Sequence, residues 1–168
     1  MLFSKDSKPR GTYALLVHLR SATALQVGRL GTVHLWPGYY VYVGSALGSG
    51  GLSGRVNRHL RPKEEKRLHW HIDALTALGR IEEVWWVESG RRQECAWASV
   101  LTKAGKLAAA GFGASDCHCP GHLVWLGDAE GVSQGWCLLR KLADAPLQRV
   151  RIEGTPTENN PLKIGGDR

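Results

Sequence analysis

The chain has 168 residues, 43% of them hydrophobic, enough for a single domain with a real buried core. No apolar run approaches the ~18 residues of a membrane span, so no membrane partner is expected, and the opening MLFSKDSKPR has no signal-like apolar core, so a cytoplasmic setting is expected. The formal charge of +7 favours an anionic partner, and the four cysteines (Cys95, Cys117, Cys119, Cys137), without a secretion signal, argue against a disulfide framework.

Residues 1–10 read as a flexible polar start. Strand-like alternation begins at Gly11, with Tyr13, Leu15, Val17 and Leu19 on one face and Ala14, Leu16 and His18 on the other. Short strands over 24–27 and 31–36, then a Pro37-Gly38 turn, suggest an antiparallel meander. The stretch 39–61, YYVYVGSALGSGGLSGRVNRHLR, starts as a strand with Tyr40 and Tyr42 on one face. It then breaks into a loop containing Gly44, Gly48, Gly50, Gly51 and Gly54, where backbone can approach a ligand or take positive φ. It resumes as a helix with Leu52, Val56 and Leu60 as its apolar stripe and Arg55 and His59 on a neighbouring face.

The basic run Arg55, Arg58, Arg61, Lys63, Lys66 and Arg67 fits either a solvated face or a nucleic-acid surface, and the adjoining glycine loop favours the second. A helix is expected from about His69, with Leu68, Ile72, Leu75 and Leu78 as its stripe and Gly79 ending it. In that frame His69 and Asp73 can pair. Residues 81–87 read as a buried strand, and 93–107 as a helix with Trp97, Leu101, Ala104 and Ala108 inward and Glu94 bordering that stripe. A last strand is expected over 122–126 and an amphipathic helix over 132–142, using Trp136, Leu139 and Leu142. The expected organisation is a domain over 11–127, a helical extension over 128–150 and a disordered tail over 151–168, with no repeat.

If the first and the Tyr39-led strands pair, the hydroxyls of Tyr13 and Tyr42 converge near the glycine loop, although tyrosine is common in strands for packing alone. In order and context, Tyr13, Tyr42, Gly44, Arg55, His59 and Glu94 resemble the GIY-YIG nuclease superfamily. Its two tripeptides stand here as Gly11-Thr12-Tyr13 and Tyr42-Val43-Gly44, its arginine as Arg55 in GRVNRHL, and its glutamate as Glu94 in RRQECAWASVL. The segments GYYVYVGSA, RHL, LHWHID and SDCHCPGHL are closest to a small stand-alone, Uri-type branch, and the resemblance spans about residues 11–127.

The resemblance implies a small, mainly antiparallel central sheet flanked by helices, an α/β (α+β) fold. It also implies Mg²⁺- or Mn²⁺-dependent hydrolysis of DNA phosphodiesters, with RNA left open. Glu94 would hold the ion, Arg55 would face the scissile phosphate, and Tyr13 would accept the water's proton, with His59 as alternative base and Tyr42 shaping the pocket. Gly44, Ser45, Arg58, Arg61, Lys63, Lys66, Arg67, His69 and His71 would contact nucleic acid. Thr12 replaces the usual isoleucine, the segment between the tyrosines is long, and Ser115 and Asp116 stand where many members carry an asparagine.

Cys117, Cys119 and His122 have zinc-ligand chemistry, with Cys95 or His69 available to complete a set. Their spacing is not a paired C-x-x-C, and buried thiols beside a satisfied histidine are the alternative. A nucleic-acid-binding module that cleaves nothing is the rival reading. A nucleotide-binding loop ranks last, because no G-K-[ST] follows the glycines. Oligomeric state leaves no mark on this sequence.

Overall fold

The computed structural model describes residue 3 and residues 6–65 and 67–153. Its central strand is β1 (Gly11–Leu19), in which every residue but His18 is buried. Such a strand must be apolar on both faces, and the GTYALLVHL sequence is. β4 (Gly38–Ala46) and β5 (Arg80–Glu88) pair antiparallel on its two sides. β7 (Leu123–Gly127) continues outward from β4, and the two-residue β6 (Lys106–Leu107) follows it. β8 (Gln148–Arg151) closes the other edge on β5, giving a six-stranded antiparallel sheet in the order β6-β7-β4-β1-β5-β8.

Helices flank both faces. α1 (Gly51–Leu60) and α2 (His71–Thr76) bury Leu52, Val56, Ile72 and Leu75 with Tyr13 and Leu15. α3 (Glu94–Leu101) and α4 (Ala129–Leu142) bury Trp97, Leu101 and Leu139 against Leu16, Val41 and Trp85 on the opposite face. Mixed α/β architecture with an antiparallel sheet is therefore as expected.

Several local expectations are corrected. The meander is absent: β1 pairs directly with β4, while β2 (Thr23–Gln26) and β3 (Thr32–Leu35) form a separate hairpin between them. The 93–107 helix stops at Leu101, because Gly105 passes so close to β7 that an added Cβ would lie 2.0 Å from the Trp125 carbonyl oxygen. α2 is shorter than its sequence stripe, and Leu68 and Leu78 stand outside it, each 60% exposed. The extension is not purely helical, since β8 sets Val150 opposite Val84 in the main sheet. At the other end, Phe3 packs edge-on against Trp86, and the Pro9 and Arg10 carbonyls accept the Leu52 and Ser89 amides, which ties the start of the chain to the fold. Of the tail, residues 154–168 lie outside the described residues. Among those residues no helix is long and apolar enough to cross a membrane.

Trp97 is fully buried and its indole N–H has no hydrogen-bond partner among the described residues. Trp97→Ala should lower the unfolding free energy by about 3–5 kcal/mol. Trp97→Phe, which keeps an aromatic ring and loses part of the indole together with a donor that bonds nothing, should cost clearly less than the alanine change. Denaturant midpoints of the two variants check this ranking.

Candidate functional site

The pairing of β1 with β4 sets Tyr13 opposite Gly44 and Leu15 opposite Tyr42, so the two tyrosines are diagonal neighbours on one sheet face. Gly44 is needed there for space: a Cβ on it would lie 2.4 Å from Tyr13 Cζ and Oη. The tyrosines open onto a cleft of about 380 Å³ that also receives Arg55, His71, Glu94 and His122. Tyr13 Oη lies 2.8 Å from His59 Nε2, and the two groups share a buried hydrogen bond. Burial, then the neighbouring Tyr42, pushes the Tyr13 phenol well above its ordinary 10, against the pull of Arg55 and Arg58. Burial likewise pushes Tyr42 up to about 12. Both are neutral hydroxyls near pH 7.

The basic run divides by position. Arg58 is engaged inside the protein, donating to both Asp73 carboxylate oxygens at 3.0 and 2.9 Å and to the Arg67 carbonyl at 2.9 Å. The Asp73 carboxylate, fully buried, also accepts the backbone amides of His69 and Trp70, each at 2.9 Å. The expected His69–Asp73 pairing is thus made by the His69 backbone, and Arg58 is the charged partner. Arg55 is exposed and makes no ion pair among the described residues; its guanidinium lies 4.6 Å from the Trp70 ring centroid, and that of Arg58 4.0 Å.

Arg61, Lys63 and Arg67 are exposed and line no part of this cleft, while Lys66 lies outside the described residues. Gly44, Ser45, His69 and His71 do line it. His71 Nδ1 accepts the Gly113 amide at 3.0 Å, so in the neutral ring the proton sits on Nε2, and burial lowers its pKa. The glycine loop does not form a cradle here. Among the glycines read as that loop only Gly51 takes positive φ, and it abuts the Lys8 and Pro9 carbonyls.

Glu94 opens α3 and is 2% exposed. Its Oε1 accepts from Arg92 Nε, whose guanidinium also donates to Asp116 at 2.9 Å, while Oε2 is buried without a hydrogen-bond partner among the described residues. A buried carboxylate oxygen left without a hydrogen bond, on a residue that lines a polar cleft, is a donor of the kind a hard divalent cation takes, so the donor chemistry of Glu94 fits Mg²⁺ or Mn²⁺. Ser115 and Asp116 also line the cleft. Sequence reasoning assigned no role to Arg92 or Trp70. The cue for Trp70 was an aromatic residue just ahead of a helix beside two arginines; for Arg92, which meets Glu94 from a loop, no spacing rule applies.

Beside the cleft, Cys95, Cys117, Cys119 and His122 bring one donor atom each within 4.8 Å of the others. Cys119 Sγ is 2.9 Å from His122 Nε2, and Cys117 Sγ is 3.5 Å from it. The residue that completes this group is Cys95, at 3.6 Å from the same nitrogen, and not His69.

Fold and site together define a mixed α/β domain whose antiparallel sheet carries a cleft of two neutral tyrosines, an uncommitted arginine and a buried carboxylate. Residues 12–141 match the family model described as domain of unknown function DUF123, and the chain belongs to that family. The match runs into α4, past the boundary expected at 127. No curated protein and no solved structure matches the chain.

Two outcomes follow from this geometry. Burial alone would raise the Asp73 pKa, but hydrogen bonds from Arg58, Trp70 and His69 hold it at about 2, below the ordinary 3.8. A depressed acid stabilises the fold above its unfolded pKa, so Asp73→Asn should cost about 2 kcal/mol at neutral pH. The gap between wild type and variant should shrink as pH falls from about 4 toward 2, in urea melts taken across that range. Separately, Gly44→Ala should displace the Tyr13 ring and break its bond to His59, at a cost of about 1–3 kcal/mol. Nitrogen chemical shifts of the His59 imidazole would register that loss.

Proposed function

We propose that the chain is a divalent-metal-dependent endonuclease that hydrolyses DNA phosphodiester bonds, working by a single-metal mechanism of the GIY-YIG type in a cytoplasmic setting. The observation that carries this reading is the buried Glu94 oxygen, which has no hydrogen-bond partner among the described residues, on a residue that lines one cleft with Tyr13, Tyr42 and the exposed Arg55. An Mg²⁺ or Mn²⁺ ion held by Glu94 would supply charge to offset that on the phosphoryl oxygens.

The chain's own groups do the rest. Arg55 binds the scissile phosphate through its planar donor fork, and Trp70 beneath the guanidinium limits where that fork can point. Tyr13 is neutral, so it cannot act as a preformed phenolate base. It takes the proton of an attacking water only as its own proton passes to His59 Nε2, so the two residues act as one relay. Tyr42 packs at the rim of the same pocket, and Gly44 leaves room for the Tyr13 ring. A binding module that does not cleave is the second reading, favoured by the exposed Arg61, Lys63 and Arg67 outside the cleft.

The test is cleavage of labelled single-stranded, duplex and branched DNA with Mg²⁺, Mn²⁺ or EDTA. Arg55→Ala and Glu94→Ala should each lower the rate by about 100-fold or more while remaining folded. His59→Ala should lower it with a changed pH–rate profile. If the wild type binds DNA but leaves DNA and RNA whole under every condition, the binding-module reading replaces this one.

A further inference from the structure

We infer that Cys95, Cys117, Cys119 and His122 form a structural zinc site that ties the first turn of α3 to the loop ahead of β7. The donor set is three thiol sulfurs and one imidazole nitrogen, a closed Cys₃His set of the kind that zinc takes. The geometry supports it in detail. A tetrahedron with Zn–S near 2.3 Å and Zn–N near 2.0 Å has edges of about 3.5–3.8 Å. The corresponding separations here are 3.2 Å for Cys117–Cys119, 3.5 Å for Cys117–His122, 3.6 Å for Cys95–His122 and 2.9 Å for Cys119–His122. Donor atoms already this close need shifts of under about 1 Å to reach such edges.

A redox pair is a weaker account of the same cluster. A disulfide between Cys117 and Cys119 would use two of the sulfurs and leave Cys95 and His122 gathered beside them for no chemical reason. Four protein donors fill zinc's coordination shell, leaving no open position for a substrate, so the site's role is to hold structure.

What it holds is the cleft. Cys95 follows Glu94 directly, Asp116 precedes Cys117, and Arg92 bonds both carboxylates. Clamping Cys95 to Cys117 and Cys119 therefore fixes the Glu94 backbone against the loop carrying Asp116. The ion site stands on the donor geometry alone; only this positioning role rests on the nuclease reading above.

The experiment measures zinc on the 168-residue chain without nucleic acid. The protein is purified under reducing conditions with excess Mg²⁺ present, and metal content is read by elemental analysis. It is then loaded with Co²⁺, and the visible and near-ultraviolet spectrum is recorded. The expected result is one zinc per chain, a thiolate-to-cobalt charge-transfer band and tetrahedral d–d bands. Cys119→Ser should lose these signals or weaken metal binding at least tenfold, while Cys137→Ser, outside the cluster, should keep them. A wild-type chain that stays folded and reduced yet binds less than a tenth of an equivalent of zinc or cobalt overturns the proposal. So does a Cys95→Ser, Cys119→Ser double variant that retains full zinc. The wild-type cobalt spectrum needs no variant to fold, and neither readout depends on DNA cleavage, so failure here is distinct from failure of the nuclease assay.

Discussion

The register of β1 on β4 is the constraint on which the cleft depends. Side chains alternate along a strand, so a slip of one residue would turn Tyr13 or Tyr42 to the opposite face and separate them. Burial of β1 on both faces makes such a slip costly, because each face packs against its own layer of helices. In the observed register Gly44 falls opposite Tyr13, at the one place where the ring lies across the neighbouring backbone. The same face receives Leu52 and Val56 of α1, and that docking carries His59 to the Tyr13 hydroxyl. A hydrogen bond between residues 46 positions apart is thus set by strand pairing and helix packing together.

Asp73 then separates two arginines that look alike in sequence. A carboxylate with no exposed surface must be paired, and Asp73 takes Arg58 together with two backbone amides. Arg55, one helical turn away, has no such partner among the described residues and lines the cleft. The Trp70 ring underlies both guanidiniums, so the pairing of one arginine also restricts the other. Among its described residues, a basic run that reads as one uniform surface is in fact a structural cation (Arg58), a cleft cation (Arg55) and the exposed charges of Arg61, Lys63 and Arg67.

Features carried by local pattern were legible. Alternation in β1 and β4, the apolar stripe of α1 and the place of Glu94 at a helix start all follow from spacing within a few residues. What sequence could not show was set by partners far along the chain. The run from Trp97 to Ala108 keeps a helical stripe, yet the helix ends at Leu101 because Gly105 must lie against Trp125. The short β8 has no strong alternation and exists because β5 offers it an edge. Arg92 and Asp116, 24 residues apart, meet only once α3 and the loop before β7 are in place. The cysteine group likewise had three members visible in one short segment, and its fourth, Cys95, sits on another element.

The first turn of α3 explains how two kinds of donor can serve side by side. Glu94 and Cys95 are consecutive, and consecutive helical side chains diverge by about 100°. The carboxylate therefore turns into the cleft while the thiol turns toward Cys117, Cys119 and His122. A carboxylate oxygen suits a hard ion that keeps its waters, and thiolates suit a soft one that gives them up. Under the readings proposed above, Mg²⁺ and zinc would sort themselves by donor chemistry, with no barrier needed between the sites. His122, which touches both the cleft and the thiols, would be spent on the zinc through Nε2 and so kept from proton chemistry beside Glu94. Under the nuclease reading, that would leave the proposed proton relay to Tyr13 and His59.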